Sequence, residues 1–179
     1  VASVTVTDSV FLYFNGSDSV ALKAATASVG FTGNLSTDNT YIVTMKSKDR
    51  AGNLSAASSS MSFRLDTTPF TPTSGPDLLA DFDTGFDATD NITKSRVPQF
   101  VASALPSISD SLHLYVQSGI TNELVFKTRK AYNVTKDTLS VPLESQLGTG
   151  DYIITYTVID SAGNSSVASD PMTVTVDFT

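Results

Sequence analysis

The sequence has no cysteine, no tryptophan and one histidine among its 179 residues. Without cysteine the chain can form no disulfide, no thiolate zinc site and no catalytic thiolate. Serine–histidine–aspartate chemistry would depend entirely on His113, and no Gly-x-Ser-x-Gly motif accompanies it. A glycosidase cleft would also lack tryptophan, the usual platform for sugars. The sequence therefore predicts that the protein is not an enzyme.

Basic residues are few as well: 11 Lys and Arg stand against 18 Asp and Glu, a formal net charge of −7. Nucleic acids and anionic lipid surfaces bind through patches of Lys and Arg. No apolar run approaches the roughly 20 residues that span a bilayer. The first residues have neither the basic start nor the apolar core of a signal peptide. We expect no nucleic-acid partner, no direct membrane insertion, and a longer parent protein.

The chain contains an internal repeat. The 26 residues from Tyr41 to Asp66 align without a gap with Tyr152 to Asp177 at an offset of 111, and twelve positions are identical. Upstream, residues 8–14 match residues 110–116 at an offset of 102, so the second copy has nine extra residues between the two matches. Nothing in the first copy corresponds to residues 67–100. The pattern indicates one nearly complete repeat, preceded by a repeat that lacks its front.

Short alternating segments predict β-strands throughout the chain. Apolar and polar residues alternate from Met172 to Phe178, the period of a half-buried strand. Asp, Gly and Asn within residues 160–166 favour a hairpin turn. No stretch of 11 or more residues has a convincing helical period. In the second copy we predict strands over residues 77–80, 97–104, 111–117, 123–130, 138–144, 151–160 and 171–178.

Short strands separated by turns every 8–12 residues or so favour an antiparallel sandwich of immunoglobulin type. The residues before Tyr41 and Tyr152 fit a tyrosine corner, in which the hydroxyl bonds to the backbone upstream. The predicted class is all-β, with two tandem immunoglobulin-like β-sandwiches, the first lacking its N-terminal strand. We expect one domain over 1–66 and a second over 67–179, which begins with a calcium-binding loop.

The order of the motifs resembles a known family. "VPQFVAS" is followed by "DSLHLYV" and "YIITYTVIDSAGN", while residues 65–100 contain Asp-Thr, prolines, Asp-Thr-Gly and Thr-Asp-Asn-Ile-Thr. This arrangement is similar to the tandem bacterial Ig-like (BIg) domains of large repetitive RTX and biofilm-associated surface adhesins. "SRVPQF" departs from the polar run common there. The resemblance implies an extracellular place, on the bacterial cell surface or secreted, neighbouring Ig-like repeats of the same chain as partners, and calcium at interdomain joints.

An acidic stretch lies where the second copy begins. Residues 65–93 include no Lys or Arg but six aspartates, namely Asp66, Asp77, Asp81, Asp83, Asp87 and Asp90. Carboxylates without counter-ions repel one another, more strongly where water is excluded. A bound cation would remove this repulsion, and ligands that are all oxygen favour Ca²⁺ over Mg²⁺. The stretch is not an EF-hand, because Ile92 stands where that loop has its glutamate.

In an immunoglobulin topology the last hairpin lies at the same end as the domain's N-terminus, which would bring Asp160 towards the acidic stretch. The predicted Ca²⁺ ligands are the carboxylates of Asp83, Asp87, Asp90 and Asp160, with main-chain carbonyls near Gly85. Second choices are Asp66, Asp77 and Asp81. The competing interpretation is a solvated acidic linker with Asx-turns and no metal. Asp49, the first-copy equivalent of Asp160, has no acidic stretch to face, so we expect no complete site there.

Two functions fit these patterns. The first is a structural extender segment of a giant bacterial surface adhesin, in which Ca²⁺ rigidifies the interdomain joint, since a proline-containing linker without metal is semi-extended and variable in angle. The alternative is a Ca²⁺-dependent ligand-binding module of an adhesin, for a glycan or a protein. Its site would lie in the expansion within residues 117–150, near Tyr115, Phe126 and Tyr132, although strand positions explain these aromatics equally well. The adhesive target is unknown.

Overall fold

The computed structural model describes residues 9–16, 18–23, 35, 37–102, 110–131 and 138–179. The chain divides into two compact units, unit 1 (Val1–Thr67) and unit 2 (Thr68–Thr179). In the described residues the regular structure is β-strand, apart from a single 3-10 turn at Leu143–Ser145. This confirms the predicted all-β class.

Unit 1 contains a four-stranded antiparallel sheet with the order β2-β1-β3-β4. Its strands are β1 (Ser9–Phe14), β2 (Asp18–Lys23), β3 (Asn39–Lys48) and β4 (Met61–Leu65). Aromatic side chains join three of these strands. The Tyr41 ring meets Phe14 edge-on with 6.4 Å between centroids and stacks on Phe63 at 5.6 Å. All described strands of unit 1 belong to this sheet, so a complete sandwich in unit 1 stays a prediction.

Unit 2 is a sandwich of two sheets. One sheet has the order β10-β7-β5 and the other the order β6-β12-β11-β8-β9. The strands are β5 (Pro76–Leu78), β6 (Ile92–Thr93), β7 (Gln99–Ala102), β8 (Ser111–Ser118), β9 (Leu124–Ala131), β10 (Thr138–Ser140), β11 (Gly150–Ile159) and β12 (Met172–Val176).

The core of unit 2 lies between its two sheets. Phe100 and Leu139 from the smaller sheet are fully buried, as are Leu114, Tyr156 and Val174 from the larger one. These side chains come from alternate strand positions, which point to one face of a pleated sheet. The alternation read from the sequence therefore identifies the buried face.

The structure repeats the internal duplication strand by strand. Every β3–β4 pair has its counterpart in β11–β12 at an offset of 111: Tyr41 faces Phe63, and Tyr152 faces Val174. Every β1–β3 pair likewise has a counterpart in β8–β11. The two copies thus share both register and hydrogen-bonding pattern.

The nine extra residues of the second copy fall largely in one hairpin. Ser9 corresponds to Ser111 at an offset of 102, whereas their cross-strand partners, Lys23 and Ala131, are 108 apart. Six of the extra residues therefore lie in the hairpin between β8 and β9.

The predicted strands of unit 2 match the observed ones with shifts at the ends. β7 covers residues 99–102 of the predicted strand 97–104; residues 97 and 98 are not in a strand, and residues 103 and 104 lie outside the described residues. The predicted strand 138–144 is shorter than expected, because β10 ends at Ser140 and residues 143–144 belong to the 3-10 turn. β6 was not predicted, because two residues are too short for a visible alternation. The predicted tyrosine corners are present: the hydroxyl of Tyr152 donates to Gly148 O at 3.2 Å, and that of Tyr41 to Thr37 O at 2.9 Å.

Candidate functional site

The aspartates between β5 and β6 lie on one connection, the acidic loop (residues 79–91). β5 belongs to the smaller sheet and β6 to the larger, so the acidic loop crosses from one sheet of unit 2 to the other. Short hydrogen bonds close it. Thr84 N donates to Ile92 O at 3.1 Å, and Lys94 N donates to Thr84 Oγ1 at 2.9 Å. Both of these hydrogen bonds lie within unit 2.

Asp83 is the buried carboxylate of the acidic loop, with 8% of its surface exposed. Its Oδ2 accepts a hydrogen bond from Asn91 N at 3.3 Å, whereas its buried Oδ1 accepts none from any described residue. Burial raises the pKa of Asp83, and the negative charge of Asp90 raises it further, against the hydrogen bond from Asn91. An ionised Asp83 is therefore costly unless a positive charge compensates it.

Asp90 folds back across Gly85. Its Oδ1 accepts from Ile92 N at 3.0 Å and its Oδ2 from Asp87 N at 3.2 Å. A Cβ atom at Gly85 would collide with the Asp90 carboxylate, so only glycine leaves room for this arrangement. The carboxylates of Asp83 and Asp90 lie close enough to repel one another and to share a hydrogen bond when one is protonated.

The other predicted ligands of the acidic stretch occupy different surroundings. Asp87 is exposed, and its Oδ1 accepts from Thr89 N at 3.2 Å and Thr89 Oγ1 at 3.0 Å, which is an Asx-turn. Asp77 and Asp81 are exposed. Asp66 belongs to unit 1, where its carboxylate pairs with Arg64 at 2.9 Å. Two of the second choices thus remain in unit 2.

An open cavity of about 290 Å³ lies beside the acidic loop. It is lined by Asp77, Leu78, Leu79, Ala80, Asp83, Ala88, Thr89, Asn91 and Val101. Four of these residues have side-chain oxygens. Thr89 and Asn91 were not among the predicted ligands, although their place in Thr-Asp-Asn-Ile-Thr offered a signal. Asp77, one of the second choices as a Ca²⁺ ligand, therefore lines the same cavity as Asp83.

Asp160 lies far from the acidic loop, contrary to the expectation from topology. β6 pairs with Thr175 and Val176, next to the start of β11, whereas Asp160 follows the other end of that ten-residue strand. At about 3.3 Å per residue the separation is about 30 Å. The start of unit 2 does lie beside the last hairpin, since a Cβ at Gly75 would come within 2.7 Å of Asp170 O. β5 then carries the chain away from it.

Asp160 instead holds its own hairpin. Its Oδ1 accepts from Asn164 N and its Oδ2 from Asn164 Nδ2, both at 2.8 Å. Burial alone would raise the pKa of Asp160, but the hydrogen bonds from Asn164 and neighbouring amides outweigh it and lower the pKa. Asp49 makes the same bonds with Asn53, and these lower its pKa. Each of the two carboxylates stabilises the turn of its own hairpin through these hydrogen bonds.

The oxygen-bearing side chains of the acidic loop are suited to a hard cation, but few carboxylates lie together there. In the parts of the chain that the structure describes, no three or more His, Cys, Asp or Glu side chains gather closely enough to hold a metal ion. A Ca²⁺ ion takes six to eight oxygens. Asp83 and Asp90 would supply carboxylate oxygens there, with the rest from main-chain carbonyls, side-chain hydroxyl or amide oxygens, or water.

No helix among the described residues has both the length and the apolar character that crossing a lipid bilayer requires. The sole histidine, His113, is half-buried on β8 between Leu112 and Leu114, which are buried. The position of His113 on β8 is enough to explain why its side chain is half-buried.

Unit 2 matches a known protein family. A family model described as bacterial Ig-like domain matches residues 70–178. The chain belongs to the bacterial Ig-like domain family. This match covers nearly all of unit 2 and confirms the predicted resemblance to bacterial Ig-like domains. A comparison with curated proteins gave no match.

Solved structures show the same kind of fold. The FN1–FN3 domains of chicken CNTN1 superpose with a TM-score of 0.52 at 12% identity, over 95% of this chain and 56% of that one. This chain thus spans little more than half of that structure.

Two further structures align with lower scores. The first is CopC from Methylosinus trichosporium OB3b (TM-score 0.35, 21% identity, 49% of this chain and 82% of that one). The second is the Ca²⁺-stabilized adhesin that helps an Antarctic bacterium reach out and bind ice (TM-score 0.44, 18% identity, 97% and 41%). The fold assignment does not depend on either of them.

Proposed function

We propose that the chain is a structural extender segment of a large bacterial surface adhesin, acting outside the cell and without catalysis. The observation that carries this proposal is the duplication: two units share register, tyrosine corner and hairpin bonds, and the second belongs to the bacterial Ig-like family. Stacked copies of one fold lengthen a chain without requiring an active site. Neighbouring Ig-like repeats of the same chain are the proposed partners.

The second part of the proposal concerns calcium. Asp83 has a buried oxygen without a hydrogen bond, and Asp90 adds a second negative charge beside it. A Ca²⁺ ion bound here would fasten the crossover between the two sheets of unit 2. The acidic loop begins close in sequence to the boundary between the units, and on this basis we propose that the ion also stiffens their joint.

Thermal unfolding of the whole chain with Ca²⁺, with Mg²⁺ and with EGTA tests the calcium part. Extracellular calcium modules have dissociation constants of roughly 10⁻⁴–10⁻³ M. At 10 mM Ca²⁺ such affinities stabilise the folded unit by about 1.4–2.7 kcal/mol. We expect Asp83→Asn to remove this gain and Asp160→Asn to keep it. An identical melting curve in Ca²⁺ and in EGTA would show that the acidic loop holds no ion.

Small-angle scattering tests the joint separately. If Ca²⁺ stiffens it, EGTA lengthens the tail of the distance distribution in the wild-type chain but not in Asp83→Asn, which is already without the ion. A melting shift without any change in scattering would keep the calcium site and refute the stiffening.

The alternative function, a ligand-binding module, draws support from the expanded hairpin. Ile120 at its tip is 87% exposed, and Leu124 and Val125 beside it are 54% and 50% exposed. Exposed apolar side chains in a group are typical of protein contact sites. Tyr115 is a half-buried strand residue, whereas the Phe126 side chain and Tyr132 lie outside the described residues. Binding to a glycan or protein array that depends on Ca²⁺ would favour this function.

A further inference from the structure

The turn between β1 and β2 is fastened to β3 by one side chain. Asn15 and Gly16 have φ of 50° and 82°, a region that asparagine and glycine adopt more readily than other residues. Asn15 N donates to Ile42 O at 2.9 Å, and Ile42 N donates to Asn15 Oδ1 at 3.0 Å. The β1–β3 pairs end at Phe14 and Val43. The Asn15 amide thus continues the hydrogen bonding one residue further.

This arrangement is particular to unit 1. Position 15 corresponds to Gln117 at the offset of 102, where β8 continues and Gln117 pairs along the main chain with Ile153, the counterpart of Ile42. Asn15 is also the one asparagine in the sequence that glycine follows. Asn15 and Gly16 are both exposed, and a Cβ at Gly16 would meet nothing within 4 Å. Solvent therefore reaches the peptide bond between them.

We propose that Asn15 is a site of spontaneous deamidation and that the β1–β2 turn controls its rate. Gly16 N attacks Asn15 Cγ, the new C–N bond closes a five-membered succinimide, and ammonia leaves with the proton from Gly16 N. Water then adds to either carbonyl of the succinimide and opens it, which gives aspartate or isoaspartate at position 15. Glycine favours the attack because it has no side chain beside the attacking nitrogen.

The folded turn opposes this reaction. The bond from Ile42 N holds Asn15 Oδ1 towards β3, and this bond must break before Cγ can rotate to meet Gly16 N. Exposed turns open locally at a much lower free energy than the whole domain. Deamidation therefore proceeds from the opened turn, and the same opening frees the Ile42 amide for hydrogen exchange. The two rates should rise together.

The two products affect unit 1 differently. Aspartate keeps a carboxylate oxygen where Ile42 N can donate to it. Isoaspartate lengthens the main chain by one carbon and shortens the side chain by one, so its carboxylate no longer matches the position of Asn15 Oδ1. We expect isoaspartate to release Ile42 N and weaken the end of β1. Deamidation at Asn15 involves neither calcium nor the acidic loop, and it does not depend on the extender role.

Peptide mapping of the whole chain, aged at mildly alkaline pH with and without denaturing urea, measures the reaction. Trypsin releases residues 1–23 and 137–179, which contain one asparagine each, Asn15 and the control Asn164. In urea we expect Asn15 to deamidate at least tenfold faster than Asn164, because Ser165 follows the latter. Without urea, deamidation at Asn15 should be at least tenfold slower but measurable. Equal rates at Asn15 in the two conditions, or faster reaction at Asn164, would overturn the proposal.

Hydrogen exchange at Ile42 tests the control by the turn without any mutation. Urea below the unfolding transition should raise Ile42 exchange and Asn15 deamidation by the same factor; a rise in exchange alone would refute the coupling.

The products provide the last comparison. The isoaspartyl form, separated from aged protein, should exchange at Ile42 at least tenfold faster than wild type, whereas Asn15→Asp should stay within twofold. Ile153 should be unchanged in both. Full protection of Ile42 in the isoaspartyl form would contradict the role given to Asn15 Oδ1.

Discussion

Two buried serines accept hydrogen bonds from main-chain amides of β11 beyond the end of β12, and Ser169 gives the sharpest test of this arrangement. Tyr156 N donates to Ser169 Oγ at 3.0 Å in a buried setting, and Ser169 N returns a bond to Tyr156 O at 2.9 Å. Ser169→Ala leaves the Tyr156 N–H without an acceptor. An unsatisfied buried donor costs about 1–3 kcal/mol. In a unit of this size, that predicts a decrease of about 4–13 °C in melting temperature.

Unit 1 offers a matched control. Ser58, the counterpart of Ser169, accepts from Met45 N at 3.0 Å with the same geometry, but this site is exposed. Water can replace the hydroxyl there, so Ser58→Ala should cost less than about 0.5 kcal/mol. Calorimetry would give both values, and amide exchange at Tyr156 would locate the effect. Ser169→Thr, which keeps the hydroxyl, should retain most of the stability. Equal losses in the two alanine variants would refute the argument from burial.

Three further predictions concern the acidic loop and the tyrosine corner. In EGTA, Asp83 should stabilise the fold below about pH 4, and this stabilisation should be lost as pH rises through the raised folded-state pKa of Asp83, because the folded chain holds the Asp83 proton more tightly than the unfolded chain. The measurement is the difference in unfolding free energy between wild type and Asp83→Asn from pH 3 to 7. A difference that does not change with pH would contradict this prediction. Gly85→Ala should displace the Asp90 carboxylate and shrink the Ca²⁺-induced melting shift, whereas Gly148→Ala, whose Cβ meets nothing closer than 3.7 Å, should leave the shift unchanged. Tyr152→Phe should cost about 1 kcal/mol in denaturant unfolding through the lost hydroxyl bond to Gly148, and a neutral result would mean that solvent satisfies that backbone carbonyl.

Much of the fold could be predicted from the sequence because the relevant signals are local or repeated. Alternation located the long strands, and the matched segments around Tyr41 and Tyr152 fixed which strands correspond. β6 escaped prediction, since its two residues are defined by the hydrogen bonds from Thr175 and Asp177 rather than by any pattern of their own.

The site was harder to predict because it depends on which end of the sandwich each loop occupies. Charge density identified the acidic loop, whereas the room that Gly85 leaves for the Asp90 carboxylate could not be read from the sequence. Asp160 was predicted because its hairpin was expected at the same end of the domain as the acidic stretch, but its carboxylate accepts hydrogen bonds from Asn164 instead. A side chain that closes its own turn and a side chain that binds an ion look alike in sequence.

The parallel pairing of β6 with β12 has a mechanical consequence. In an extender under tension, the load would reach β6 from its N-terminal side, after passing β5, and would leave from the C-terminal side of β12. Two parallel strands pulled from opposite ends slide along each other, so the bonds from Thr175 to Asn91 and from Asp177 to Thr93 are loaded together. A hairpin pulled from its open end would instead break one bond after another. If unit 2 carries tension, the short β6 would therefore resist it in shear rather than by unzipping.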